Sequence, residues 1–236
     1  KRVEVVGQPY AVTVKRRSLG MPFFHRTCRY IRAKERWAEK AGERRRRRAP
    51  QEPGRLPPGQ RLTQDFPVLD LGIRPEFDPE SWTLTIDGKV ENPSTFSWES
   101  FQALPTTEDV ADMHCVTTWS KFDCRWGGVP FTEIYERVKP LASAQYVFFR
   151  GYDGYTVNVP LEQMLDEDVL LATHFDGEPL SADHGFPLRV IIPKLYAWKG
   201  AKFLKSMTFL EQDLLGFWEL RGYSNTADPF TEDRFA

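Results

Sequence analysis

Apolar and polar positions alternate in short, well-punctuated bursts over the last three quarters of the chain. Trp82, Leu84 and Ile86 alternate up to Asp87-Gly88, which predicts a strand running into a tight turn. Val90 to Ser94 reads as a loop. Ser97 is placed to cap a short helix carrying Trp98, Phe101 and Leu104, which Pro105 stops. Phe131 to Val138 reads as a second short helix and Leu161 to Leu165 as a third. Gln145 to Arg150, Tyr155 to Val159 and Val169 to Phe175 read as strands, the last closed by Asp176-Gly177, and the apolar runs Leu188 to Ile192 and Phe203 to Leu210 complete the set. Strands dominate and the helices are short and irregularly placed. The fold class predicted is a strand-rich mixed α+β domain, not a doubly wound parallel sheet.

Composition adds a division that this pattern does not show. The 236 residues are 41% hydrophobic and 14% aromatic, enough for a substantial core, and the net charge is -1. That near-neutrality is a cancellation: residues 1–60 hold seventeen Lys/Arg against five Asp/Glu, and the remainder fifteen against twenty-eight. Val3, Val5, Tyr10, Val12 and Val14 suggest a short extended piece, and Arg29 to Arg48 is strongly basic. The block Arg44 to Arg48 repels itself too strongly to pack in a core, so a solvated extension is expected, with an arm for nucleic acid or an acidic surface as the functional alternative. Gln51 to Gln60 reads as a Pro/Gly linker, which sets an extension over 1–60 and a domain over 61–236.

No apolar run approaches membrane-spanning length. Arg16-Arg17 resembles the start of a twin-arginine export signal, but the apolar core such a signal needs does not follow it. Cys28, Cys115 and Cys124 form no disulfide framework, and a reducing, cytoplasmic setting is expected.

Chemistry concentrates at Cys115, inside Asp112-Met113-His114-Cys115-Val116-Thr117-Thr118-Trp119-Ser120. Four roles compete for it. It could be a buried structural thiol. It could be a nucleophile with His114 as base, although neighbouring residues on a strand face opposite ways. It could join His114 and Cys124 on zinc, although the paired ligand spacing is missing. Finally, one thiolate could complete the coordination of a metal whose other ligands an organic cofactor supplies.

Three ordered motifs bear on that choice. His114-Cys115 through Trp119-Ser120, with Trp126-Gly127-Gly128-Val129-Pro130, resembles the cysteine loop of the sulfite-oxidase-type molybdopterin oxidoreductases. Leu180 to Pro193, with Asp183-His184-Gly185-Phe186-Pro187-Leu188-Arg189 at its centre, resembles that family's second motif, and Tyr196 to Leu204 a third. The resemblance covers roughly residues 61–230.

It implies a molybdenum–molybdopterin cofactor with Cys115 as the protein's metal ligand. It further implies a pterin held by His184, Arg189, Lys199 and Lys202, with Gly185, Gly200 and Ala201 allowing close approach. His114, Asp153, Leu69 and Asp70 fall where related enzymes meet the cofactor. Trp119, Lys121, Tyr152 and Tyr223 are candidates for shaping the substrate pocket. The activity implied is oxygen-atom or two-electron transfer on a small sulfur- or nitrogen-containing substrate.

The branch is divided. Animal and plant sulfite oxidases follow their cysteine with Ala-Gly-Asn-Arg-Arg, whereas Val116-Thr117-Thr118-Trp119-Ser120 follows the sulfoxide-reducing bacterial pattern; His184 instead matches sulfite oxidase, the other branch having Asn there. A sulfoxide reductase catalytic subunit is therefore the alternative within the class. A cofactor carrier or interaction module working through the Arg-rich arm is the alternative outside it. Neither a heme domain nor the carboxyl-terminal dimerisation domain of classical sulfite oxidases is expected in this chain, so the partner expected is a separate heme or flavin electron-transfer protein, and not nucleic acid.

Overall fold

The computed structural model describes residues 54–236. The expected extended piece at Val3 to Val14, the basic stretch Arg29 to Arg48 and the start of the linker lie outside the described residues. Two sheets carry the fold. One has β1 (Arg61–Leu62), β4 (Thr107–Cys115), β5 (Trp119–Pro130), β8 (Leu170–Phe175), β9 (Glu178–Pro179) and β10 (Arg189–Ile191). The other runs β3 (Ser94–Ser97), β2 (Thr83–Gly88), β11 (Leu204–Leu210), β6 (Tyr146–Gly151), β7 (Thr156–Pro160). Short helices α1 (Trp98–Gln102), α2 (Phe131–Val138) and α3 (Leu161–Met164) join them. The strand-rich α+β class read from the periodicity is the class observed.

The alternation along each strand explains how the layers stack. On β8, Leu171 enters the main core while its neighbours Leu170 and Ala172 enter a second core on the opposite face; on β10, Val190 and Ile191 divide in the same way. The first sheet is thus buried on both faces. Helix α2 places Phe131, Ile134 and Val138 on one face, and all three are fully buried in the main core, each contributing roughly 1.5–3 kcal/mol. Lys139 ends that helix in the left-handed region, its N–H bonding Tyr135 O.

Most expected elements appear within a residue or two of their predicted bounds, and Ser97 caps α1 by accepting from Ser100 N. The exceptions are instructive. Ser94, read as loop, opens the edge strand β3. The long hairpin β4–β5 is absent from the elements that the periodicity predicts. Its register shifts between Ala111 and Met113, and Asp123 in β5 has φ +56°, so bulges erase the period of two. Asp112 is the residue displaced by that shift. Its carboxylate takes two hydrogen bonds from Arg55, at 2.6 and 2.7 Å, so the chain already engages the sheet inside the stretch read as linker.

Candidate functional site

The β4–β5 hairpin exists to present its turn. Cys115 ends β4 opposite Trp119, the first residue of β5, and Val116-Thr117-Thr118 bridge them. Thr118 N donates to Cys115 O at 3.1 Å, and Thr118 itself sits at φ +69°. A β-branched residue there is strained by about 1–3 kcal/mol, so neighbouring contacts must impose the conformation. They come from three directions. Gln60 Nε2 donates to Cys115 O at 3.1 Å, Arg61 Nη1 to Thr118 Oγ1 at 2.6 Å, and Arg234 Nη1 to Val116 O at 3.3 Å. Both the lead-in segment and the carboxyl-terminal stretch therefore brace one turn.

Cys115, 6% exposed, faces a cleft that opens to solvent. The walls have two characters. One is a polar group built on the loop at 183–189. His184 stacks on Phe66 with centroids 3.8 Å apart, donates Nε2–H to Phe66 O and accepts at Nδ1 from Ser181 Oγ. Lys202 Nζ donates to Leu69 O and Asp183 O, both at 2.9 Å, and Arg189 Nη1 donates to His184 O at 3.0 Å. The other wall is aromatic: Tyr223 meets Trp198 edge to face and Trp218 at a tilt of 41°, with Tyr155 OH donating to Trp198 O at 2.6 Å.

Of the residues singled out from sequence, Cys115, Trp119, Tyr223, Leu69, Asp70, Asp153, His184, Arg189, Gly200 and Lys202 line this one cavity. Tyr152, Lys121, His114, Lys199 and Ala201 do not. The Tyr152 hydroxyl bridges Thr83 N and O, and Lys121 reaches Gln64 O. Ala201 lies in the main core. Lys199 forms a buried ion pair with Glu219 at 2.7 Å, and Glu219 also accepts from Trp198 Nε1. His114 points away from Cys115, with Nδ1 2.9 Å from Ser120 Oγ on the partner strand.

Two of the four roles for Cys115 weaken on this geometry. His114 cannot serve as its base, because strand alternation puts the two side chains on opposite faces and burial lowers the imidazole pKa. No group of three or more His, Cys, Asp or Glu side chains suited to a metal occurs among the described residues, and burial pushes the Cys124 thiol up to about 12.

Electrostatics divide the polar wall further. Burial brings the His184 pKa down to about 4, helped by the nearby Lys202 and Arg189, so its ring is neutral at pH 7 and the positive charge sits on Arg189 and Lys202 alone. Arg189 is 2% exposed, and burial lowers even its pKa to about 10. Desolvation raises Asp153 to about 6, against hydrogen bonds from its own and the Tyr155 backbone and the charge of Lys202. The glycines pack the wall tightly: a Cβ on Gly200 would lie 2.4 Å from Val190 O, and one on Gly185, at φ +109°, would press on the stems of Lys202 and Arg189.

Sequence reasoning missed Phe66, Thr117, Tyr155 and Trp218 as wall residues, and Gln60, Arg61 and Arg234 as braces. Thr117 lies inside the first motif, Trp198 beside Lys199 inside the third, and Trp218 in the run Gly216 to Asn225 that resembles the family's end segment; the others carried no such signal.

Comparison with known proteins gives these walls a context. Residues 71–218 match the family model described as oxidoreductase molybdopterin binding domain. The chain is 43% identical over 183 residues to the uncharacterised oxidoreductase YuiH of Bacillus subtilis (strain 168), covering 77% of this chain and 92% of that protein. It is 29% identical over 171 residues to "Putative protein-methionine-sulfoxide reductase subunit YedZ1" of Azospira oryzae, covering 71% of this chain and 64% of the relative. Among solved structures, the sulfane dehydrogenase SoxCD from Paracoccus pantotrophus matches with a TM-score of 0.54 at 21% identity, over 59% of this chain and 40% of that one; this likeness concerns the fold.

Proposed function

The chain belongs to the oxidoreductase molybdopterin-binding family and is an enzyme of that class, and from this premise we propose that Cys115 ligates molybdenum and that the substrate is a small neutral sulfoxide-type oxygen donor. One observation carries the cofactor reading. Arg189 is a fully buried cation with no carboxylate partner among the described residues, and its Nε has no hydrogen-bond partner there. A buried unpaired charge costs several kcal/mol, so an anionic group belongs beside it. Trp119 Nε1 is a second buried donor without a partner on the same wall. The phosphate and the many polar atoms of a pterin fit both.

When bound, the group supplies two dithiolene sulfurs, a metal able to exchange two electrons, and the oxygen-atom chemistry of its class. The chain's residues do the rest. Cys115 provides the one protein sulfur, held by a turn braced from three sides. Arg189 and Lys202 offset the anionic tail, while neutral His184, Asp153, Asp70, Leu69 and Gly200 shape the berth. Phe66, Trp198, Trp218 and Tyr223 exclude water around the substrate. Lys199 acts at one remove, through Glu219 and the Trp198 indole.

The aromatic wall favours a neutral substrate over sulfite. Where sulfite oxidases place two arginines, this chain has Trp119 and Ser120, and the two cations that line the cavity, Arg189 and Lys202, are given to the cofactor's anionic tail. The name of the Azospira relative points the same way. Electrons would come from a separate heme or flavin protein. Among the described residues no helix is long and apolar enough to cross a membrane.

Metal-loaded protein should be screened against sulfite, dialkyl sulfoxides and N-oxides, with redox dyes as electron donor or acceptor. Sulfoxide reduction is the expected activity; sulfite oxidation faster than any sulfoxide reduction would overturn the substrate assignment.

A further inference from the structure

Thr117 enters none of the roles above, yet it lies closest in chemistry to the proposed ligand. Its Oγ1 sits 3.2 Å from Cys115 Sγ, within the range of an O–H···S bond, and both residues are buried, Thr117 at 5% exposure. Oγ1 has no other hydrogen-bond partner among the described residues. Once Cys115 is a thiolate it has no proton to give, so the hydroxyl must be the donor.

The spacing is a product of the turn. With Thr118 in the left-handed region, residue 117 is folded back over the sulfur two positions earlier, and the bonds from Gln60, Arg61 and Arg234 fix that conformation. A hydroxyl two residues after the cysteine therefore reaches the sulfur without cost in side-chain reorganisation. The sequence places a hydroxyl there twice over, since Thr118 follows; Thr118 Oγ1 accepts from Arg61, and it is Thr117 Oγ1 that lies within bonding distance of Cys115 Sγ.

We propose that Thr117 is a positioning residue that sets the reduction potential of the bound metal by donating a hydrogen bond to its cysteine ligand. This rests on the reading that Cys115 ligates molybdenum. A donor on the sulfur draws electron density from it, so the thiolate gives less to the metal. The electron-rich reduced centre is then favoured, and the potential rises. The same hydroxyl fixes the Cys115 rotamer, orienting the sulfur into the cavity.

The test compares metal-loaded wild type with Thr117→Val, Thr117→Ala and Thr117→Ser in redox titrations of the molybdenum followed by electron paramagnetic resonance. Valine keeps the branched shape and loses the donor; alanine loses the donor without placing a methyl group against the sulfur; serine keeps the donor. The expected result is a midpoint shifted to lower potential in both donor-free variants and restored toward wild type by serine. A loss of packing alone would not be repaired by serine's smaller side chain. Equal midpoints in wild type, valine and alanine variants overturn the role of Thr117 while leaving the Cys115 reading intact. Wild-type protein that carries no molybdenum when made in a molybdenum-competent host overturns both.

Discussion

Lys199 and Glu219 form the most demanding electrostatic element of the domain, and Glu219→Gln tests what it does. Their charged atoms are 2.7 Å apart with both side chains 1% exposed. At an effective dielectric constant of about 20 the attraction is roughly 6 kcal/mol, most of which offsets the cost of taking two charges out of water. Burial pulls the Lys199 pKa below its ordinary value, and Glu219 pulls it back up. Glutamine keeps an acceptor for Trp198 Nε1 and Lys199 but removes the charge, leaving a buried ammonium beside the Asn158 carbonyl. The expected loss is about 3–5 kcal/mol. In a domain of this size it should lower the melting temperature by roughly 6–20 °C. Urea denaturation of the metal-free protein, followed by tryptophan fluorescence, measures it. The double variant Lys199→Met, Glu219→Leu, which has no charge to strand, should lose less than the single substitution. A Glu219→Gln variant within 1 kcal/mol of wild type, or a double variant at least as unstable as the single one, would refute the reasoning and leave Lys199 open to a direct cofactor role.

Other outcomes follow from the same geometry. Arg189→Met should cut molybdenum retention at least tenfold while leaving the metal-free protein as stable or more so, by about 1–3 kcal/mol, because an uncompensated buried cation is removed; metal content and thermal denaturation read the two effects separately. Asp153 has a folded pKa of about 6 against an ordinary 3.8, so its contribution is most favourable below pH 4 and is lost as pH rises through 6. Asp153→Asn should therefore match wild type near pH 4 and exceed it above pH 7 by up to about 3 kcal/mol in the metal-free protein, as denaturation at the two pH values would show. Deleting residues 1–53 should leave stability and metal content unchanged, whereas deleting 1–63 removes Gln60 and Arg61 from the cysteine turn and Arg55 from Asp112 and should abolish metal binding; metal loss on the shorter deletion would contradict this.

The elements that the chain announced are those with an undisturbed period: Leu84 and Ile86 on β2, and Phe131, Ile134 and Val138 on α2, each fill one core from one face. The hairpin that presents Cys115 was hard to read for the opposite reason, since its bulge at Asp112 and the left-handed Asp123 and Thr118 exist to aim a turn and break alternation in doing so. The site divides in a similar way. Residues inside dense local motifs, such as His184, Arg189 and Lys202, were visible because function compressed them into short segments. Phe66, Gln60, Arg61 and Arg234 reach the cavity or its turn from distant stretches with no periodicity, and only the fold brings them together. Lys199 follows Trp198 in sequence, yet its side chain pairs with Glu219 and does not line the cavity that Trp198 lines.

On the proposed function, Cys115 supplies the protein's sulfur to molybdenum. X-ray absorption at the molybdenum edge, on wild type and Cys115→Ser protein from a molybdenum-competent host, tests it directly: the variant should show one sulfur neighbour fewer than wild type, as expected for an isolated thiolate beside a cofactor that brings its own sulfurs. An unchanged sulfur shell in Cys115→Ser, or a wild-type protein without molybdenum, would contradict it.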